Sequence, residues 1–264
     1  MTRPLLRLVR ALRPVGFGAV AALVVSWSVT LGVRTVVRAQ DGEGASVDAG
    51  ATRRAGFTDL RRIRRIVGDV EAGREKAELC WACHGPDGTS PVAVFPNLAG
   101  QRADYLYWEL VEYQIPSRAP SAMTPIAASL DEQDMRDLAV FYAAQVPRAV
   151  PVTDPPDSAQ LRRGEALFRS GDPARGIAPC QGCHGPDARG RADALVADGG
   201  GYVPFAVYPA LRGQHAPYLQ GRLDQFRAGV LGTSTTDFIM TDVARRLDEE
   251  SVAALAAWLA SLEP

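Results

Sequence analysis

An all-α protein made of two tandem copies of one small unit is what the 264-residue sequence predicts. Three observations carry that expectation. The pentapeptide Cys80-Trp81-Ala82-Cys83-His84 returns as Cys180-Gln181-Gly182-Cys183-His184, and Gly-Pro-Asp follows both copies. Further matches recur at steady offsets: Pro96 to Gln101 is answered 113 residues later by Pro209 to Gln214, and Met123-Thr124 is answered 117 residues later by Met240-Thr241. Between these landmarks, apolar residues fall at helical spacing in the same order in both halves. Two such units are a duplicated domain, not a solenoid.

Residues 1–40 hold six arginines and no acidic residue, and an uncharged run covers 15–33. That run reads as a signal peptide or as an uncleaved hydrophobic helix anchoring the chain in a membrane. It is longer than the usual signal core of roughly 7–15 residues, although Val37-Arg38-Ala39 offers a cleavage site. The arginine-rich front end belongs on the cytoplasmic side. Residues 41–67 are rich in Gly, Ala and Arg and read as a tether, with some helix over 57–66.

The first unit spans 68–146. A short helix over 69–79 leads into the first motif, with Gly73 where a partner helix can cross closely. After a turn-rich loop comes Pro96-Asn97-Leu98-Ala99-Gly100-Gln101, then a helix over 105–114 carrying Tyr105, Leu106, Trp108, Leu110 and Tyr113, aromatics and aliphatics that suit core packing. Asp131 is a good N-cap for a last helix over 132–145, with Met135, Leu138, Phe141 and Tyr142 at helical spacing. Residues 147–160 form a linker; Pro147, Pro151, Pro155 and Pro156 make it semi-stiff and extended.

The second unit spans 161–264 and repeats the plan: a helix over 161–169 around Gly164, the second motif, Pro209 to Gln214, Tyr218-Leu219, Met240, and a last helix over 249–262. The offset steps from 100 between the motifs to 113 beyond them, so the second unit carries a longer loop after its motif, near 192–207.

C-x-x-C-H is the attachment signature of c-type haem. The two thiols bond to the haem vinyl groups, and the following histidine sits under the iron. The motifs use all 4 cysteines and two of the 3 histidines, so no thiol is left for a disulfide or nucleophile. A redox dithiol or a four-cysteine zinc site would need no histidine after both copies. The sequence therefore predicts two covalent haem c groups on Cys80, Cys83, Cys180 and Cys183, with His84 and His184 as axial ligands. A haem-ligating histidine usually donates its second ring N–H to a carbonyl, and Pro96 offers the candidate acceptor.

A thioether is a soft iron ligand for the opposite face. Met1 lies in the leader, and Met135 falls on the apolar stripe of a helix. Met123 and Met240 occupy matched places before the last helix of each unit and are the candidate sixth ligands. His215, the rival, aligns with Arg102 and reads as a surface or packing residue.

Hydrophobic content of 47% is enough for real cores. Without the leader's arginines the chain holds 23 basic against 30 acidic residues, which argues against nucleic acid. Covalent haem attachment takes place on the periplasmic side of bacterial membranes, so the chain is expected there, anchored at the inner membrane or released after signal cleavage.

With these residues in place, the chain resembles a class I cytochrome c duplicated in tandem, and specifically the dihaem cytochrome c4 family, from about Gly68 to Leu262. The resemblance rests on Cys-Trp-Ala-Cys-His-Gly-Pro-Asp-Gly, Phe-Pro-Asn-Leu-Ala-Gly-Gln, Met-Thr-Pro-Ile-Ala, Cys-Gln-Gly-Cys-His-Gly-Pro-Asp and Tyr-Pro-Ala-Leu-Arg-Gly-Gln-His. It implies two small all-α bundles, each around one haem, facing each other across a pseudo-twofold interface. The long N-terminal run, the extra stretch over 40–67 and the 192–207 loop depart from the family pattern.

His/Met ligation leaves no open site for a substrate. The expected work is single-electron transfer, from a quinol-oxidising complex or a periplasmic dehydrogenase to a terminal oxidase, by a carrier or a membrane-tethered subunit. The alternative is a dihaem enzyme, a peroxidase or a thiosulfate dehydrogenase-like protein. Such enzymes need an open or displaceable sixth site, often with His or Cys, and this chain has no spare Cys.

Overall fold

Four aspartates set where four of the helices begin. Asp69, Asp131, Asp157 and Asp248 each turn a carboxylate back onto the free backbone N–H groups of the first helical turn. In the computed structural model, which describes residues 52–54 (backbone only), 56–150 and 156–264, these caps open the first and last helices of two matched units.

A small antiparallel hairpin, β1 (Thr52–Arg54) and β2 (Phe57–Asp59), comes first. The first unit follows: α1 (Val70–Lys76), α2 (Glu78–His84), α3 (Ala103–Tyr113), α4 (Met123–Ala128) and α5 (Glu132–Ala143). The second has α6 (Ser158–Ser170), a 3-10 turn at Pro173–Arg175, α7 (Gln181–His184), α8 (Ala216–Ala228), α9 (Thr235–Ala244) and α10 (Glu249–Ser261). The first helix of each unit packs on its last, α1 on α5 and α6 on α10. Gly73 and Gly164 permit this crossing: a Cβ on Gly73 would collide with the Asp137 carbonyl, and one on Gly164 with the Ala254 carbonyl.

One core gathers Tyr107, Trp108, Val111, Met135, Leu138 and Phe141. The other gathers Leu167, Phe168, Leu219, Leu255, Trp258 and Leu259. Met135 is 3% exposed, a core residue as its place on the helical stripe predicts. Trp108 meets Tyr107 edge-on at 5.1 Å between ring centroids.

The structure corrects the reading of 57–66. This stretch is not a helical end of a tether. After β2 it runs as irregular chain and buries Leu60, Ile63 and Ile66 in the first core, at 2%, 1% and 4% exposure. Its apolar residues recur every third position, which fits one face of a helix and equally one face of an extended chain with three residues per turn. The helix loses because backbone groups here bond elsewhere: Thr58 N–H donates to Thr233 O, and Ile66 N–H to the Asp104 carboxylate. The hairpin also makes the fold mostly rather than wholly helical.

One further expectation meets a difference. α6 begins at Ser158, inside the stretch expected as linker, because Asp157 caps it. The expected N-terminal hydrophobic helix over 15–33, its cleavage site and residues 151–155 of the linker lie outside the described residues. Among the described residues no helix is long and apolar enough to cross a membrane.

Candidate functional site

Each motif sits on a short helix that ends at its histidine. α2 carries Cys80 and Cys83 and stops at His84; α7 stops at His184, with Cys180 as its N-cap. The stop comes from the next residue. Gly85 and Gly185 have φ of 74° and 79°, the left-handed region, and a Cβ there would collide with the carbonyl of Thr89 or Gly190. The repeated Gly-Pro-Asp is thus the turn that sends the chain away from the histidine.

Both imidazoles are buried and fixed from behind. His84 Nδ1–H donates to Pro96 O at 2.9 Å, and His184 Nδ1–H to Pro209 O at 3.0 Å. A carbonyl can only accept, so Nδ1 carries the proton and Nε2 is left with its lone pair. Burial lowers the pKa of both rings, more than the carbonyl bonds raise it, which keeps them neutral and able to ligate. The acceptor expected at Pro96 is in place, and the second unit repeats it.

All four cysteines, both histidines, Met123 and Met240 line one continuous cavity that runs through both units. Its walls are otherwise mainly apolar, with Leu98, Leu106, Leu110 and Leu138 on one side and Leu211, Leu219, Leu247 and Leu259 on the other. Leu79, Val94 and Ile239 line it while remaining partly open to solvent, apolar surface that a bound apolar group would cover. Burial pushes the Cys80 thiol up and the Cys180 thiol to about 11, the opposite of the acidic thiol a redox dithiol needs. Among the described residues no three His, Cys, Asp or Glu side chains are grouped to hold a metal ion. Paired thiols, an imidazole with a free Nε2 and apolar walls fit haem c.

The units meet through a reciprocal clasp. Gln101 donates from Nε2 to Ala210 O and accepts from Ala210 N, both at 2.9 Å. Gln214, its counterpart 113 residues on, donates to Asn97 O at 2.9 Å and accepts from Asn97 N at 2.8 Å. Asn97 and Ala210 are themselves counterparts, so the interface has pseudo-twofold symmetry. The next residues follow the same rule. His215 donates from Nε2 to Ser90 O at 3.1 Å, and Arg102 donates to Arg191 O at 2.7 Å. His215 is thus a packing residue across the interface, as its alignment with Arg102 predicts.

On the same axis, α3 and α8 present Glu109 and Arg222, also counterparts, paired at 2.6 Å. Arg118 binds the other oxygen of Glu109 at 2.7 Å and stacks over Tyr113. Burial works against the Glu109 charge, but Arg222 and Arg118 outweigh it and hold the carboxyl at about 2. Glu112 fares oppositely: burial, then the nearby Asp237 and Glu109, push it up to about 8 against the pull of Arg118. Thr233 Oγ lies 3.0 Å from Glu112 Oε2 and 3.1 Å from Asp237 Oδ2. One hydroxyl proton cannot serve two carboxylates, which agrees with a protonated Glu112.

Sequence reasoning named the four cysteines, two histidines and two methionines that line the cavity but missed the clasp. Gln101 and Gln214 were visible as matched residues in the repeated Pro-to-Gln hexapeptides. Only their recurrence hinted at a role, because a glutamine carries no partner in its spacing. Glu109 and Arg222 left a fainter sign, opposite charges at matched positions.

Comparison with known proteins agrees with this geometry. The cytochrome c family model matches residues 70–142 and again 162–263. Cytochrome c4 of Thiocapsa roseopersicina is 38% identical over 197 residues, covering 74% of this chain and 94% of that protein. The crystal structure of reduced recombinant cytochrome c4 from Pseudomonas stutzeri superposes with a TM-score of 0.62 at 34% identity, over 75% of this chain and all of the other. A thiosulfate dehydrogenase electron acceptor from Thiomonas intermedia is 31% identical over 191 residues, 72% of this chain and 81% of its own length.

Proposed function

From the premise that the chain belongs to the cytochrome c family, as a dihaem electron-transfer protein of the cytochrome c4 type, we propose that it takes single electrons from a periplasmic dehydrogenase and passes them toward a terminal oxidase. Two covalent haem c groups, on Cys80 with Cys83 and on Cys180 with Cys183, supply reversible one-electron chemistry at iron. The observation that carries the reading is the single cavity in which two matched sets of Cys, Cys, His and Met face each other across the reciprocal glutamine clasp.

His84 and Met123 would hold the iron in the first unit, and His184 and Met240 would hold it in the second. Pro96 and Pro209 hold each imidazole in one tautomer and one orientation. The apolar walls keep water from the iron, which limits reorganisation when charge changes. The kinship with a thiosulfate dehydrogenase electron acceptor favours a dehydrogenase as donor; a quinol-oxidising complex is the second source. Periplasmic placement follows from covalent haem attachment, and anchorage at the inner membrane is proposed from the apolar run over 15–33.

The ligand assignment is tested by near-infrared absorption of the oxidised protein with a haem-per-chain assay. Two haems per chain are expected, with the sulfur-to-iron band reduced by half in Met123→Ala and by half in Met240→Ala. A high-spin haem in the wild type that readily binds added ligand would instead point to the dihaem-enzyme alternative. For the donor, stopped-flow reduction by a thiosulfate dehydrogenase with its substrate should outpace reduction by a quinol-oxidising complex; the reverse order would transfer the role to the complex.

A further inference from the structure

The residues just before the first unit meet the surplus loop of the second. Residues 57–66 lie outside the stretches that the cytochrome c model matches. The loop over 192–207 belongs to the part of the second unit that is 13 residues longer than its counterpart, since Cys180 to Pro209 spans 29 positions where Cys80 to Pro96 spans 16. Val203 N–H donates to Ile63 O at 2.9 Å, and the Arg64 guanidinium stacks over the Tyr202 ring at 5.1 Å. Val203, Ala206 and Val207 of the second unit are buried in the core of the first, beside Leu60, Ile63 and Ile66. Earlier in residues 57–66, a strap laid against the second unit, Thr58 N–H donates to Thr233 O at 2.7 Å, and Leu60 N–H to Thr235 Oγ at 3.0 Å.

We propose that residues 57–66 and the 192–207 loop form a second, one-sided lock between the units, and that Thr58, Leu60 and Ile63 are positioning residues that set how the two haem sites face each other. The glutamine clasp is symmetric and polar, made of four hydrogen bonds from two side chains. The lock is asymmetric and largely apolar, and it engages both the loop after the second motif and the loop before α9. The 192–207 loop stems from the motif's own turn, and α9 carries Met240, so the strap touches both segments that place the second site's ligand residues. The inference rests on the two-haem electron-transfer reading, and its test separates the two.

The test uses the full haem-loaded chain with a protease site placed in 151–155. After cutting, the wild-type halves should co-elute. The Leu60→Ala/Ile63→Ala variant empties two core positions, so its cut halves should associate about a hundredfold or more weakly. Thr58→Pro, which removes the backbone donor to Thr233 O and replaces a buried side chain outside the apolar core, should weaken them in the same direction, and Ile63→Val should retain wild-type behaviour. In the uncut chain, haem-to-haem electron equilibration after single-electron reduction should slow in both weakened variants while each haem keeps its own spectrum. Should the alanine pair fail to take up two haems, Thr58→Pro decides. Unchanged association and unchanged equilibration in Thr58→Pro would overturn the lock. Weakened halves with no equilibration even in wild type would uphold the lock and overturn the electron-passing reading instead.

Discussion

The first and second units use the same landmarks to opposite local ends. Both place a proline carbonyl behind the motif histidine, both cross their first and last helices at a glycine, and both extend one glutamine to the other's backbone. They part where the chain approaches the methionine. In the second unit, α9 starts at Thr235, capped by Ser234, and Met240 lies well inside it. In the first, Met123 opens a helix of only six residues. Pro116 and Pro120 explain the difference, since proline cannot continue a helical ladder, and the corresponding stretch before Met240 has none. Arg118 comes from this irregular stretch and reaches both Glu109 and Glu112. The lesson is that both units keep the cavity residues and the glutamine clasp and differ in the segments that lead into them.

The sharpest break in the pseudo-symmetry is at Glu109 and Arg222. Glu109→Gln leaves Arg222 buried without its carboxylate, and chemical denaturation should register a loss of about 3 kcal/mol. Arg222→Met should cost less, because Arg118 still neutralises Glu109. Equal losses would mean that Arg118 does not share the charge.

The clasp tests what the units have in common. Gln101→Ala and Gln214→Ala each strand a backbone donor and acceptor on the other unit, and each should cost about 1–3 kcal/mol. Because their partners differ but are counterparts, the two losses should be similar. A large inequality would show that one side of the clasp carries the interface.

At acid pH the smallest effect should come from making the units alike at Glu112, whose counterpart is Gln225, and the effect grows as pH rises. Glu112 is raised from its ordinary 4.5 to about 8. Between those values the folded protein keeps a proton that the unfolded chain releases, so stability declines as pH rises through that window. Glu112→Gln removes the penalty. Thermal melts should show a flatter profile from about pH 5 to 8 and a higher melting temperature than wild type above pH 8. An unchanged profile would mean that Glu112 is already ionised at neutral pH.

Much of the site was legible because its chemistry is local. C-x-x-C-H places two thiols and an imidazole within one turn of helix, and the repeat supplied an internal control that singled out Met123 and Met240 from Met135. The Asp131 cap was equally readable, since a cap bonds only to the next three residues. The stretch over 57–66 was not. Its three-residue apolar rhythm suits a helix as well as an extended chain, and the decision rested on Thr233, Thr235 and Val203, residues more than 130 positions away.

By itself, then, the sequence determined a duplicated haem-attaching unit, the helices that open and close each copy and the cysteines, histidines and methionines that line its cavity, because those depend on covalent order and short-range spacing. Only the tertiary structure decided that Gln101 and Gln214 clasp the backbone of the opposite unit, that Glu112 is driven toward its neutral form, and that the segment before the first unit is a strap. Burial and long-range hydrogen bonding set these, and neither leaves a period in the chain.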